Sequence, residues 1–344
     1  MISVRKRMAI WCMGFIAAGM FYGIDASARA LYKPGTGDDL QSAGAPAYCE
    51  AMHQIGKMVL TVSNHGVFGD GYARGAQDCF TADQLQSCEY PKASRTRYLY
   101  TAAFWVGAVV GRDTLVSTGG DGWSTPGNEY HPDVAPVGNM IYRSITDPGS
   151  NTFEGAISEE DFLSVYYDTC LLCQGVSLDE LDRRSHRPLR LEITERSFAW
   201  SYAYAESFVL FDYAIRNIGV NRLKRVYLGI YVDADVHAQN NQNGFEDDIC
   251  GFRQSLPAFY STNRCEWEDT INIAWIADND GDLAGSPPIP NVTGTRIVRT
   301  PSDSLDVSFN WWVSNGSPGL DFGPRHRTDI RELGTGGNGT PTGD

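Results

Sequence analysis

The chain has 344 residues, with 28 Lys plus Arg against 42 Asp plus Glu, a formal net charge of −14 and 42% hydrophobic residues. So acidic a surface repels nucleic acid and anionic lipid and suits cations, which excludes nucleic-acid binding. The length is ample for a large core, so the eight cysteines read as pins on loops, not as substitutes for packing.

Residues 1–30 have the pattern of a secretory signal peptide. Arg5-Lys6-Arg7 is a positive start, Met8 to Ile24 is apolar, and Ala28-Arg29-Ala30 offers a cleavage site, with Ala26-Ser27-Ala28 as the alternative. The rival is an uncleaved anchor, for which the apolar run falls slightly short of the roughly 20 residues of a span. Cleavage removes four basic groups and one acidic, leaving 24 against 41 and a balance of −17. No later segment is long enough to span a bilayer. The expected location is therefore secreted, extracellular or cell-surface, with the periplasm as the other exported compartment.

Export would leave seven cysteines where disulfides persist. Proximity suggests Cys79 with Cys88, Cys170 with Cys173 and Cys250 with Cys265, with Cys49 left over, although spacing alone does not settle connectivity. Cys170-Leu171-Leu172-Cys173 has redox-motif spacing but lacks a preceding tryptophan and a βαβ setting, so it reads as structural.

Leu31 to Pro46 is an irregular Gly/Pro/Ala leader, and Lys57 to Asn64 is the first strand expected. His65 to Tyr90 reads as a long stapled loop. Tyr98 to Val110 and Asp113 to Thr118 form a hairpin around Gly111-Arg112, its first arm apolar on both faces. Ser158-Glu159-Glu160-Asp161 has the signature of a helix start, with Ser158 as N-cap and Phe162, Val165 and Tyr166 as an apolar stripe. A second helical turn is expected around Leu178 to Arg183, and a strand over Leu189 to Ser201.

From Phe208 the chain alternates: Val209, Phe211, Tyr213 and Ile215 on one side, Asp212, Ala214 and Arg216 on the other. After Asn217-Ile218-Gly219-Val220-Asn221 the alternation resumes with Val226, Leu228, Ile230 and Val232. Two such runs across a Gly/Asn turn predict an antiparallel hairpin. Ile271 to Ala277, Thr295 to Thr300 and Leu305 to Val313 are further strands, and Gly334 to Asp344 is a Gly/Thr/Pro-rich linker in composition, as if a further module followed. The fold expected is all-β, a large antiparallel β-sandwich with long disulfide-stapled loops and one or two short helices. Residues 31–333 form its body, one domain divisible near 185.

Two acidic clusters carry the chemistry. Asp233 and Asp235 prolong one strand and are followed by Glu246-Asp247-Asp248; Asp278-Asn279-Asp280-Gly281-Asp282 follows another. Calcium takes six to eight hard oxygen ligands at about 2.3–2.6 Å, and alternating acids in a turn can aim oxygens at one point. Carboxylates gathered without a cation repel one another. The metal candidates are therefore Asp233, Asp235, Asp247, Asp248, Asp278, Asp280 and Asp282, the ion Ca2+, with the Cys250–Cys265 pair drawing the clusters together. Asp278, Asp280 and Asp282 match the first, third and fifth positions of an EF-hand loop. Leu283 and Ile289 stand where its glycine and glutamate belong, so the run looks more like calcium loops of extracellular surface proteins. The bland reading is a solvated loop tip.

No nucleophile elbow, zinc-protease helix or phosphate-cradling loop occurs, so no catalytic residue is assigned. The phrase Phe208 to Asp235, with Tyr213-Ala214-Ile215-Arg216-Asn217-Ile218-Gly219 and Val226-Tyr227-Leu228-Gly229, resembles the Y-x-I-x-N-x-G … V-Y-x-G pattern of Ig-like sandwich modules in bacterial cell-surface proteins. More broadly the chain resembles a group of uncharacterised secreted β-rich proteins of environmental bacteria. The resemblance implies location and architecture and no defined activity. The function expected is an exported structural or binding protein with a structural calcium site, its partner a glycan or a cell-surface protein. Alternatives are a secreted carbohydrate-active enzyme and a surface filament or surface-layer subunit.

Overall fold

The computed structural model describes residues 45–69, 75–120, 128–173, 176, 178, 185–241, 244–245, 247–257, 268–281, 288–302, 305–311 and 325–326. The signal-peptide segment, most of the second helical turn, Asp282, Cys265 and the terminal linker lie outside them. Among the described residues there is no helix, and none long and apolar enough to cross a membrane.

The strands in chain order begin with β1 (Glu50–His53), β2 (Val59–Ser63), β3 (Val67–Phe68), β4 (Cys88–Glu89), β5 (Thr96–Arg97), β6 (Thr101–Val110) and β7 (Asp113–Thr118). Next come β8 (His131–Pro132), β9 (Ile141–Arg143), β10 (Glu160–Tyr167), β11 (Leu191–Ala199) and β12 (Leu210–Asn217), which make a five-stranded antiparallel sheet. β13 (Leu223–Asp233) and β14 (His237–Ala238) join β1 to β7 in a nine-stranded sheet, with β13 laid against β6. β15 (Ile249–Pro257), β16 (Glu268–Ala277) and β17 (Thr293–Arg296) form a three-stranded sheet; β18 (Asn310–Trp311) and β19 (Arg325–His326) pair as a ribbon. The fold is all-β and sandwich-like.

The two larger sheets meet face to face. Phe104, Val106 and Ala108 of β6 pack with Tyr166 of β10 and with Leu191 and Ile193 of β11. Phe104 stacks on Tyr213 at 4.3 Å, nearly coplanar at 8°, and Phe68 meets Phe211 at 4.9 Å. Each such aromatic pair adds about 0.5–1.5 kcal/mol beyond the area it buries.

The structure corrects three expectations. β12 and β13 do not pair with each other: β12 lies on β11 (Ile193↔Ile215) and β13 on β6 (Leu228↔Val106). Residues 218–222 are thus an arch from one sheet to the other. Period-two alternation reveals which side chains face the core, and that is the same for a hairpin and an arch. Gly219 closes the arch because a Cβ there would lie 2.8 Å from the Arg190 side chain.

The expected helix from Ser158 is instead strand β10. Its cap-like chemistry is real but serves a turn: Asp161 accepts the N–H groups of Ile157 (2.6 Å) and Ser158 (2.8 Å), and Ser158 Oγ accepts from Ala199 N at 3.2 Å. Phe162, Val165, Tyr166 and Tyr167 favour a pleated, half-buried surface, and β11 offers full pairing from Glu160↔Ala199 to Tyr167↔Glu192.

The third correction concerns the cysteines. Cys79 bonds to Cys49 (Cα–Cα 5.6 Å), not to Cys88, so Cys49 is not left over. The chain returns beside β1, where Cys79 N donates to Glu50 O at 2.9 Å. Cys88 sits opposite Leu60 with its side chain in the core, and burial pushes its thiol up to about 12. Cys170 and Cys173 do form a disulfide, with Cα atoms 5.7 Å apart. Cys250 lies on β15.

Asp168 stands at the end of β10 and is fully buried. Its carboxylate accepts from Leu189 N, Leu191 N and Ser117 Oγ, each at 2.7 Å, and so anchors the start of β11 and the end of β7.

Candidate metal centre

Strand pairing explains how the two acidic clusters meet. Ile249 of β15 pairs with Ala277 of β16, so Asp248, just before the one, and Asp278, just after the other, emerge at the same end of the three-stranded sheet. The turn over residues 278–281 then brings Asp280 back. Asp247, Asp278 and Asp280 each offer a carboxylate oxygen, and these oxygens all lie within 4.8 Å of one another. Asp278 is buried, Asp247 half-buried and Asp280 exposed. Asp278 Oδ1 accepts from Gly281 N at 2.5 Å, which holds the turn closed.

The other cluster enters from the end of β13. Asp248 Oδ2 accepts from Val236 N at 2.7 Å and so ties the start of β15 to the segment after β13. Asp248 Oδ1 is buried without a hydrogen-bond partner. Asp235 adopts a left-handed backbone (φ 47°), strained for a residue with a side chain.

This proximity has an electrostatic consequence. Burial, then the neighbouring Asp235, Asp278 and Asp247, push Asp248 up to about 8 against the pull of the Val236 N–H. Burial and Asp233 raise Asp235 to about 7, with Arg97 acting the other way. Asp233 is raised by burial, partly offset by the Tyr231 hydroxyl. The structure therefore brings Asp247, Asp278 and Asp280 together, with Asp248 felt by Asp235, Asp278 and Asp247, and Asp235 by Asp233; Asp282 lies outside the described residues. His237 is buried on β14 opposite Arg97 of β5, with Nδ1 3.0 Å from Asp235 O.

A second polar group was missed by sequence reasoning. Glu195 of β11 is 4% exposed, and Tyr166 donates its hydroxyl to Glu195 Oε2 at 2.7 Å. Tyr213 stands directly opposite Glu195 on β12, its buried hydroxyl without a partner. Burial raises Glu195 to about 8, against the pull of the Tyr166 hydroxyl. The signal was its phase: Glu195 falls on the same side of the strand as Leu191 and Ile193, the side that faces the core. Nearby, His186 lies 2.7 Å from Glu129 Oε1 and donates from Nε2 to Asp168 O at 2.8 Å. Burial opposes its charge, but the Glu129 carboxylate raises His186 overall. His131, 2.5 Å from the Tyr48 hydroxyl, is held down to about 4 by burial and then by the His186 charge.

No protein-family model, curated protein or solved structure matches the chain.

Proposed function

We propose that this chain is an exported, disulfide-stapled structural or binding protein whose three-stranded sheet is fastened to the sandwich by a divalent cation, calcium by the chemistry of its ligands. The observation that carries the reading is the orphaned Asp248 Oδ1, buried among carboxylates from the ends of β13, β15 and β16. Burial and the neighbouring carboxylates penalise the ionised form of Asp248, and a bound cation removes that penalty. All-oxygen donors suit calcium, not zinc or copper. The spacing also favours a shared ion over paired acid/base chemistry, since glycosidase carboxylates face each other about 5–9.5 Å apart. Export is supported by the signal-like segment over residues 1–30 and by two disulfides, which persist in oxidising compartments.

Calorimetric titration of the chelator-treated chain with calcium chloride tests the site. Saturable heat is expected, and at a free calcium level about 100 times Kd a stabilisation of roughly 2.7 kcal/mol, or about 5–10 °C in Tm. Asp278→Asn removes both effects. Absence of heat together with an unchanged Tm overturns the cation reading.

A further inference from the structure

We infer that the link between β11 and β12, residues 200–209, is a binding platform for a neutral polysaccharide chain with equatorial linkages. This rests on the binding role proposed above and is independent of the cation site.

Four aromatic residues crowd the link: Trp200, Tyr202, Tyr204 and Phe208. Tyr202 is 44% exposed, Tyr204 81% and Phe208 46%. Large apolar side chains gathered at a surface mark a place where something binds. The rings lie in two pairs. Tyr202 and Tyr204 stack at 5.6 Å with 20° between their planes, and Trp200 meets Phe208 edge-on at 6.3 Å. Trp200 also lies 6.3 Å from the buried Phe198, which foots the platform on β11.

The link is held in place from three sides. Glu159 accepts from Ser201 N at 2.6 Å and from Ser201 Oγ at 2.9 Å. Glu206 O accepts from Lys57 N at 2.7 Å, and the Glu206 carboxylate meets Lys57 Nζ at 2.6 Å. The Tyr90 and Ser207 hydroxyls share a hydrogen bond of 3.1 Å. Gly56 permits the close approach, since a Cβ there would lie 2.6 Å from Glu206 O and 2.9 Å from Trp200 O. Within the link, Tyr202 O accepts from Ala205 N (2.7 Å) and Glu206 N (2.8 Å), closing a turn around the tyrosines. Rings fixed beforehand lose little entropy when a ligand arrives.

Chemistry selects the occupant. The acids that hold the link are engaged, Glu206 with Lys57 and Glu159 with Ser201. The chain as a whole carries −14, which turns away acidic lipid, nucleic acid and polyuronates. Tyrosine and tryptophan each offer an apolar face with a polar tip. A pyranose with equatorial linkages is the counterpart, with C–H bonds on its flat faces and hydroxyls around its rim. A stable protein partner would need about 800 Å² on each side, roughly 20–30 residues. One short aromatic link suits a sugar chain instead.

Calorimetric titration with cellohexaose, xylohexaose and β-mannohexaose tests this, with polygalacturonate as the acidic comparison. Saturable binding of at least one neutral hexasaccharide is expected, in calcium and in chelator alike. Tyr204→Ala is expected to weaken it about tenfold or more with Tm unchanged, whereas Tyr227→Ala, at an exposed position on β13, leaves it intact. No heat from any neutral sugar overturns the inference. So does binding that Tyr204→Ala leaves untouched, or binding of polygalacturonate alone. Heat from calcium without heat from sugar overturns this inference and leaves the cation reading standing.

Discussion

Replacing Glu195 by glutamine is expected to stabilise the protein, increasingly as pH rises. Burial holds this carboxyl at about 8, against an ordinary value of 4.5. Below pH 4.5 folded and unfolded chains both keep the proton, and nothing is lost. Between there and pH 8 the unfolded chain releases a proton that the folded chain retains, so stability falls as pH rises. Above pH 8 the penalty is constant. Glutamine mimics the protonated acid: it carries no charge to desolvate, and its carbonyl accepts from Tyr166. The gain expected at pH 8 is a few kcal/mol, roughly 5–10 °C in Tm, shrinking to nothing near pH 4. Melting curves of both proteins from pH 4 to 9 check it; parallel curves would refute the buried-acid account.

Asp168→Ala is expected to have the opposite and larger effect. The substitution strips three donors of one acceptor: the N–H groups of Leu189 and Leu191 and the hydroxyl of Ser117, all buried. Each orphaned buried donor costs about 1–3 kcal/mol, so the sum is on the order of 4 kcal/mol even after loss of the buried charge is credited. Asparagine is no remedy, because its amide nitrogen would confront donors where an acceptor is required. Burial raises Asp168 despite these bonds. Denaturant unfolding of the two variants measures the loss. A change under about 1 kcal/mol for alanine would mean that the end of β10 does not hold β7 and β11 together.

The strands were legible from alternation alone: the β6–β7 hairpin and β11 lie within a few residues of where period two puts them. Their partners were not. Phe211, Tyr213 and Ile215 must face a core, but nothing local distinguishes a neighbour in the same sheet from one across it. β10 misled because Ser158 and Asp161 satisfy backbone N–H groups in the same way at a helix start and at a turn; only the availability of β11 decides. The cysteines failed for a related reason, since the chain from Val67 to Cys88 runs back to β1 before it reaches β4. The acidic neighbourhood was foreseeable in part. Both clusters sit at strand ends, and the Ile249↔Ala277 pairing that joins them needs β15, a strand that no clean alternation announced.

The arch over residues 218–222 also dictates an order of assembly. β10, β11 and β12 are consecutive in the chain, linked by residues 168–190 and 200–209, and can pair in sequence, each with the one just made. β6 must wait for β13, since Val110 pairs with Leu223, more than a hundred residues later, and closing so long a loop is entropically slow. Until the chain has emerged through Asp233, the apolar flank of β6 stays bare, and folding can finish only after most of the polypeptide has been delivered.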